Sequence, residues 1–172
     1  MKRAIAGFTL VMLYALVQMN QLQAQQSNIY KLHSLFIYNF TKHIQWNSVG
    51  ESFTIGVYGS EAALKEVRAN FADKKYSGKE FKIINIASVS DANSSNLVYF
   101  PKSAKNKILS LYEESSKSNI LFVSEDDLIS NGFPISFILK NDKLTFKISK
   151  SNLEAAGLKV SSSLLSLAEV VD

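Results

Sequence analysis

Along the chain, hydrophobic positions recur in two rhythms. From Asn28 to Gln45, the residues Ile29, Leu32, Phe36, Ile37, Phe40 and Ile44 fall on one arc at about 100° per residue, and Tyr30, Ser34, Thr41 and Gln45 fall opposite. This spacing predicts an amphipathic helix, capped by Asn28 and stopped after Trp46 by Asn47 and Gly50. Phe53 to Tyr58 then alternates and is rich in β-branched residues, as a strand is, and ends at Gly59-Ser60. Ser60 is placed to cap a helix reaching about Ala72, with Leu64, Val67 and Phe71 on its inner face. A turn over Tyr76 to Lys79 leads to a second strand, Phe81 to Ile86, and the pieces make a βαβ unit.

Leu97-Val98-Tyr99-Phe100 and Ile120-Leu121-Phe122-Val123 are continuous apolar runs, as expected of strands buried on both faces of a parallel sheet. Between them, a helix from about Ser103 carries Ile108, Leu109, Leu111 and Tyr112. Ser124 is read as opening a short helical turn with Glu125, Asp126 and Asp127. Pro134 to Leu139 and Leu144 to Ile148 flank the turn residues Lys140-Asn141-Asp142-Lys143, which predicts an antiparallel pair. Ser151 to Ala156 is a short helix with Gly157 as its left-handed stop, and Leu164, Leu167, Ala168 and Val171 have the spacing of a last helix. The expected class is α/β: a mixed, about six-stranded sheet with helices on both faces, βαβ units first and an antiparallel pair after them.

The first residues change the picture of where this domain works. Lys2 and Arg3 precede a mainly apolar run from Ala4 to Val17, shorter than the about 20 residues of a membrane span. A polar stretch follows, and Ala24 stands before Gln25 as at a signal-peptide cleavage site. Residues 1–24 are therefore expected to be a secretory signal and residues 25–172 a single α/β domain, exported out of the cytoplasm. Losing Lys2 and Arg3 leaves 17 Lys and Arg against 15 Asp and Glu, a balance of +2 that points to no nucleic-acid partner. The chain has no cysteine, so it has neither disulfides nor thiolate metal sites.

Sequence patterns for catalysis are sparse. The chain lacks G-x-S-x-G, Walker, G-x-G-x-x-G and H-E-x-x-H motifs. His33 and His43 lie ten positions apart on the first helix, about 15 Å along its axis, too far to share a metal. Glu125-Asp126-Asp127 offers oxygen ligands, but consecutive residues on a helix point in different directions, so an interaction with the helix dipole explains them better. No catalytic set, metal site or cofactor is expected. Two other features invite binding. Gly59 and Ser60 join a strand to a helix start, where free backbone N–H groups attract anions or small ligands. Tyr30, Tyr38 and Trp46 are aromatics of the first helix and its exit, of the kind that anchors partners.

Three strings together resemble the YfiR-like family of periplasmic regulatory proteins over about residues 30–170. Phe36 to Trp46 reads Phe-Ile-Tyr-Asn-Phe-Thr-Lys-His-Ile-Gln-Trp, Phe53 to Gly59 resembles the family's first strand, and Asn152 to Leu165 resembles its Ala-Gly-Leu-Lys turn and Ser-Ser-x-Leu-Leu helix. The chain has Ser136 where the family commonly has glycine and Ser149 where it commonly has asparagine. The resemblance implies a periplasmic regulator, often a homodimer, that binds and restrains the periplasmic sensor region of an inner-membrane signalling enzyme. That enzyme is a diguanylate cyclase in the best understood relatives, and a histidine kinase is the alternative partner. The competing expectation is a periplasmic small-ligand sensing module that uses Gly59 and Ser60.

Overall fold

The computed structural model describes residues 25–102 and 105–171. The expected signal segment and the expected helix start at Ser103 lie outside them. A long helix α1 covers residues 25–43. It is followed by β1 (Ile44–Gln45), β2 (Phe53–Tyr58), α2 (Glu61–Phe71), β3 (Lys75–Tyr76), β4 (Lys79–Ile86), α3 (Val89–Asn93), β5 (Leu97–Phe100), α4 (Lys105–Glu114) and β6 (Leu121–Ser124). After a short 3-10 turn over Ile129–Asn131 come β7 (Ile135–Lys140), β8 (Lys143–Ser149), α5 (Lys150–Ala155), β9 (Lys159–Val160), α6 (Ser162–Leu165) and β10 (Glu169–Val171).

Eight strands form one mixed sheet in the order β10-β8-β7-β6-β5-β2-β4-β3, and β1 pairs antiparallel with β9 beside it. The strands from β7 through β4 run parallel, while β7/β8 and β3/β4 are antiparallel hairpins. Both hairpin turns use two residues with positive φ, Asn141-Asp142 and Ser77-Gly78, the conformation that matches the right-handed twist of paired strands.

Period-two alternation divides the core between the two faces of the sheet. On β5, Leu97 and Tyr99 face α1, α2, α5 and α6, while Val98 and Phe100 face α3 and α4. The first core is built on Phe40, Phe53, Phe137 and Phe146 and the second on Phe100, Phe122 and Phe133, all of them buried. Gly56 is required by close approach, since a Cβ there would lie 2.2 Å from Ile86 Cδ1. Gly157 stops α5 as expected: at φ +71° it lets its own N–H reach Glu154 O and Leu158 N–H reach Leu153 O, both at 2.9 Å.

The mixed α/β class with helices on both faces agrees with the sequence reading; the strand count does not. The main sheet has eight strands, not about six, because β3 and β10 extend its edges. The last apolar segment is not one helix. α6 ends at Leu165, and Glu169–Val171 pairs parallel with Lys147–Ser149, so a long-range ladder replaces the local helix that the spacing favoured. Residues 125–127 are not helical; they form a bend after β6. Asn28 lies inside α1, which already covers residue 25, and Ile44–Gln45 has left the helix to pair with β9.

Candidate functional site

Helix α1 is rotated by part of a turn from the setting its apolar spacing predicts: Ile37, Phe40 and Ile44 face the sheet as expected, but Ile29 and Leu32 do not. Tyr30, His33, Ser34, Ile37, Phe40, Thr41 and Ile44 are buried, at helical spacing along one stripe. Three of these are polar, and each has a partner. Ser34 Oγ donates to Lys31 O at 2.7 Å and Thr41 Oγ donates to Tyr38 O at 2.8 Å, so both hydroxyls satisfy themselves on their own helix. His33 Nδ1 lies 2.6 Å from the Tyr99 hydroxyl, and its ring stacks on Phe137 at 4.2 Å. Burial pushes His33 down to a pKa of about 4 and raises Tyr99 well above the ordinary tyrosine range. The rotation leaves Ile29, Leu32 and Leu35 exposed, as a row at three-residue intervals along the helix.

Part of that row borders a cleft of about 600 Å³ at the carboxyl ends of the parallel strands, the edge where open α/β sheets place their ligands. Ile29, Leu32 and His33 supply the α1 wall, and Phe137, Leu139 and Leu144 supply the wall from the β7/β8 hairpin. Lys102 after β5, and Glu125, Asp126 and Asp127 after β6, form the rim with Asp142 of the hairpin turn. Glu125 is half-buried, and its carboxylate accepts the Lys102 backbone N–H at 2.6 Å; burial and the neighbouring Asp126 nonetheless raise its pKa. Asp127 is paired with Lys147 at 2.8 Å. Among the described residues, no group of three or more His, Asp or Glu side chains is placed to hold a metal ion. No helix there is long and apolar enough to cross a membrane.

The residues singled out from the sequence are scattered. Tyr30 is 3% exposed, which corrects its expected outward position, and Trp46 is 5% exposed. Trp46 Nε1 donates to Asn96 O at 3.0 Å, and its ring meets Phe53 edge-on. Tyr38 is half-buried against Phe71 and Phe81 with Lys42 Nζ 4.2 Å over its ring. At Gly59 the φ of +68° makes the turn into α2, and Ser60 Oγ accepts the Ala63 N–H at 3.2 Å, so the helix start is already capped by its own hydroxyl. The two histidines belong to separate places, since His43 Nδ1 lies 3.2 Å from Ser161 Oγ. The cleft is not visible in the sequence patterns, because it forms only where the rotated α1 meets the β7/β8 hairpin.

The strings with a family resemblance meet in space. Ile44 stands opposite Val160 and Gln45 opposite Lys159 in the β1/β9 pair, and Ser161 N–H donates to His43 O at 2.9 Å. The sequence between Phe36 and Trp46 is thus clasped to the turn and helix that follow Gly157. The family model for DUF4154, described as YfiR/HmsC-like, matches residues 30–169. The chain belongs to the YfiR/HmsC-like family.

The two positions at which this YfiR/HmsC-like chain departs from the common pattern are both accommodated. Ser136 is fully buried; its Oγ lies 2.9 Å from Ser124 Oγ and accepts the Leu128 N–H at 3.0 Å. Ser149 caps α5 by accepting the Asn152 N–H at 3.1 Å. Among solved structures, the chain is similar to a conserved domain protein from Vibrio cholerae O1 biovar El Tor strain N16961. The TM-score is 0.58 at 12% identity, over 83% of this chain and 60% of that one, a likeness of fold alone. Among curated proteins, none matches the chain.

Proposed function

We propose that this protein is a periplasmic regulator that binds and restrains the sensor region of an inner-membrane signalling enzyme, and that it catalyses no reaction itself. The observation that carries this reading is the YfiR/HmsC-like match across residues 30–169, nearly the whole of the described chain. The leader-like residues 1–24 support export, and the exposed apolar row of α1 beside an open cleft supports protein contact. The enzyme restrained is a diguanylate cyclase, the class that the family resemblance brings first. Physically, restraint needs only tighter binding to the enzyme's inactive conformation than to its active one.

In-cell cross-linking of the exported chain, followed by identification of the captured inner-membrane protein, tests the reading. The expected capture is an enzyme with a cytoplasmic diguanylate cyclase domain whose output rises when the chain is deleted. Capture of an enzyme whose output is the same with and without the chain rejects it.

A further inference from the structure

The cleft combines two features that are uncommon together on a chain with a balance of +2 over residues 25–172. Its walls are apolar, and its rim is acidic. Leu32 and Leu139 are 46% and 76% exposed on opposite walls. Four carboxylates, Glu125, Asp126, Asp127 and Asp142, line the cleft against the single ammonium of Lys102. Of these four, Asp127 is paired with Lys147, which also lies 3.7 Å from Glu169, and among the described residues Asp126 and Asp142 make no ion pair. Among the residues that line the cleft, carboxylates thus outnumber ammonium groups, although Lys143 follows Asp142 of the hairpin turn.

We infer that this cleft is the docking site for a partner segment with apolar side chains flanked by lysine or arginine, an inference that rests on the regulatory reading above. The apolar walls take the side chains out of water, and the acidic rim selects the flanking charges and orients the approach. A segment with glutamate or aspartate in those flanks is rejected, because it brings like charges against Asp126 and Asp142 without compensation. The same argument disfavours a second copy of this chain, whose matching patch carries an acidic rim of its own. Leu139 projects from the tip of a hairpin whose turn is fixed by Asn141 and Asp142, so the wall is present before the partner arrives.

The test uses the chain as purified after export and two fluorescent helical peptides with the same leucine row, one flanked by lysines and the other by glutamates. Fluorescence anisotropy is expected to show saturable binding of the lysine peptide, at least tenfold tighter than the glutamate peptide and weakened by salt. Leu32→Asp, Leu139→Asp and Asp126→Lys should each weaken it about tenfold or more, while Leu167→Asp, at an exposed leucine outside the cleft, should leave it unchanged. Leu32, Leu139 and Leu167 are exposed and Asp126 is half-buried, and an unaltered melting temperature verifies each fold. Equal binding of the two peptides, or native binding by Leu139→Asp and Asp126→Lys, overturns the assignment. So does a dimer of the native chain that Leu139→Asp disperses in sedimentation, because the cleft then belongs to a second copy. In cells, a Leu139→Asp chain that still restrains the enzyme fully, in a strain whose deletion derepresses it, removes the cleft but leaves the regulatory reading standing.

Discussion

The imidazole of His33 and the hydroxyl of Tyr99 lie 2.6 Å apart between α1 and the centre of the sheet, both shut off from water. The contact lies on the buried stripe of α1 together with Tyr30, Ile37, Phe40 and Ile44, whose packing sets which side of the helix faces the sheet. Rotation in turn decides which leucines remain outside.

The pH dependence of folding follows from that burial. His33 has a pKa of about 4 in the folded chain against 6.5 when unfolded, so the unfolded chain binds the extra proton between these values. The stability associated with the neutral ring is complete above pH 6.5 and is lost as pH falls through 4. Its size is about 3 kcal/mol at 1.36 kcal/mol per unit. Chemical denaturation of native and His33→Gln chains between pH 7 and pH 4 is expected to show a steep loss for the native chain and a shallower one for the variant. Parallel curves would remove His33 as the cause.

Tyr99→Phe keeps the ring and removes only the hydroxyl. His33 Nδ1 is then buried without a partner, at a cost of about 1–3 kcal/mol. The measurement is the denaturation midpoint at pH 7, and a cost below a few tenths of a kcal/mol would mean that the contact contributes nothing.

Gly56→Ala is expected to cost about 1–3 kcal/mol, since its Cβ enters space held by Ile86. Trimming Ile86 to alanine in the same chain should make the double variant less unstable than the sum of the two changes, a coupling that a double-mutant cycle measures. Strict additivity would contradict the close approach.

Trp46→Ala should cost about 3–5 kcal/mol, by analogy with other large core truncations. It should nonetheless leave restraint of the partner intact at temperatures where the variant is folded, because the ring faces Phe53 and Tyr76 within the domain. Loss of restraint in a fully folded Trp46→Ala chain would return this residue to the partner surface.

How far the structure was legible in the sequence can be traced residue by residue. The strands at Leu97–Phe100 and Leu121–Ser124 could be read, the second one residue early as Ile120–Val123, because four consecutive apolar residues suit a strand covered on both faces. The stop at Gly157 could be read because only a left-handed residue closes that helix. The face of α1 could not, because Ser34 and Thr41 read as outward positions while their hydroxyls bond back to carbonyls three residues earlier. Glu169–Val171 could not, since its strand exists only by pairing with Lys147–Ser149 and is anchored by the Lys140–Glu169 ion pair at 2.9 Å. The cleft depended on both kinds of information, a helix rotation and a hairpin brought beside it, neither of which is a local pattern.

The central proposal, that this chain holds a diguanylate cyclase in check from outside the cytoplasm, is tested most directly by the cellular content of cyclic di-GMP. Deleting the chain should raise that content, and restoring residues 1–172 should return it to the starting level, whereas residues 25–172 made without the leader should not. An unchanged cyclic di-GMP content on deletion, or full correction by the leaderless chain, would contradict the account.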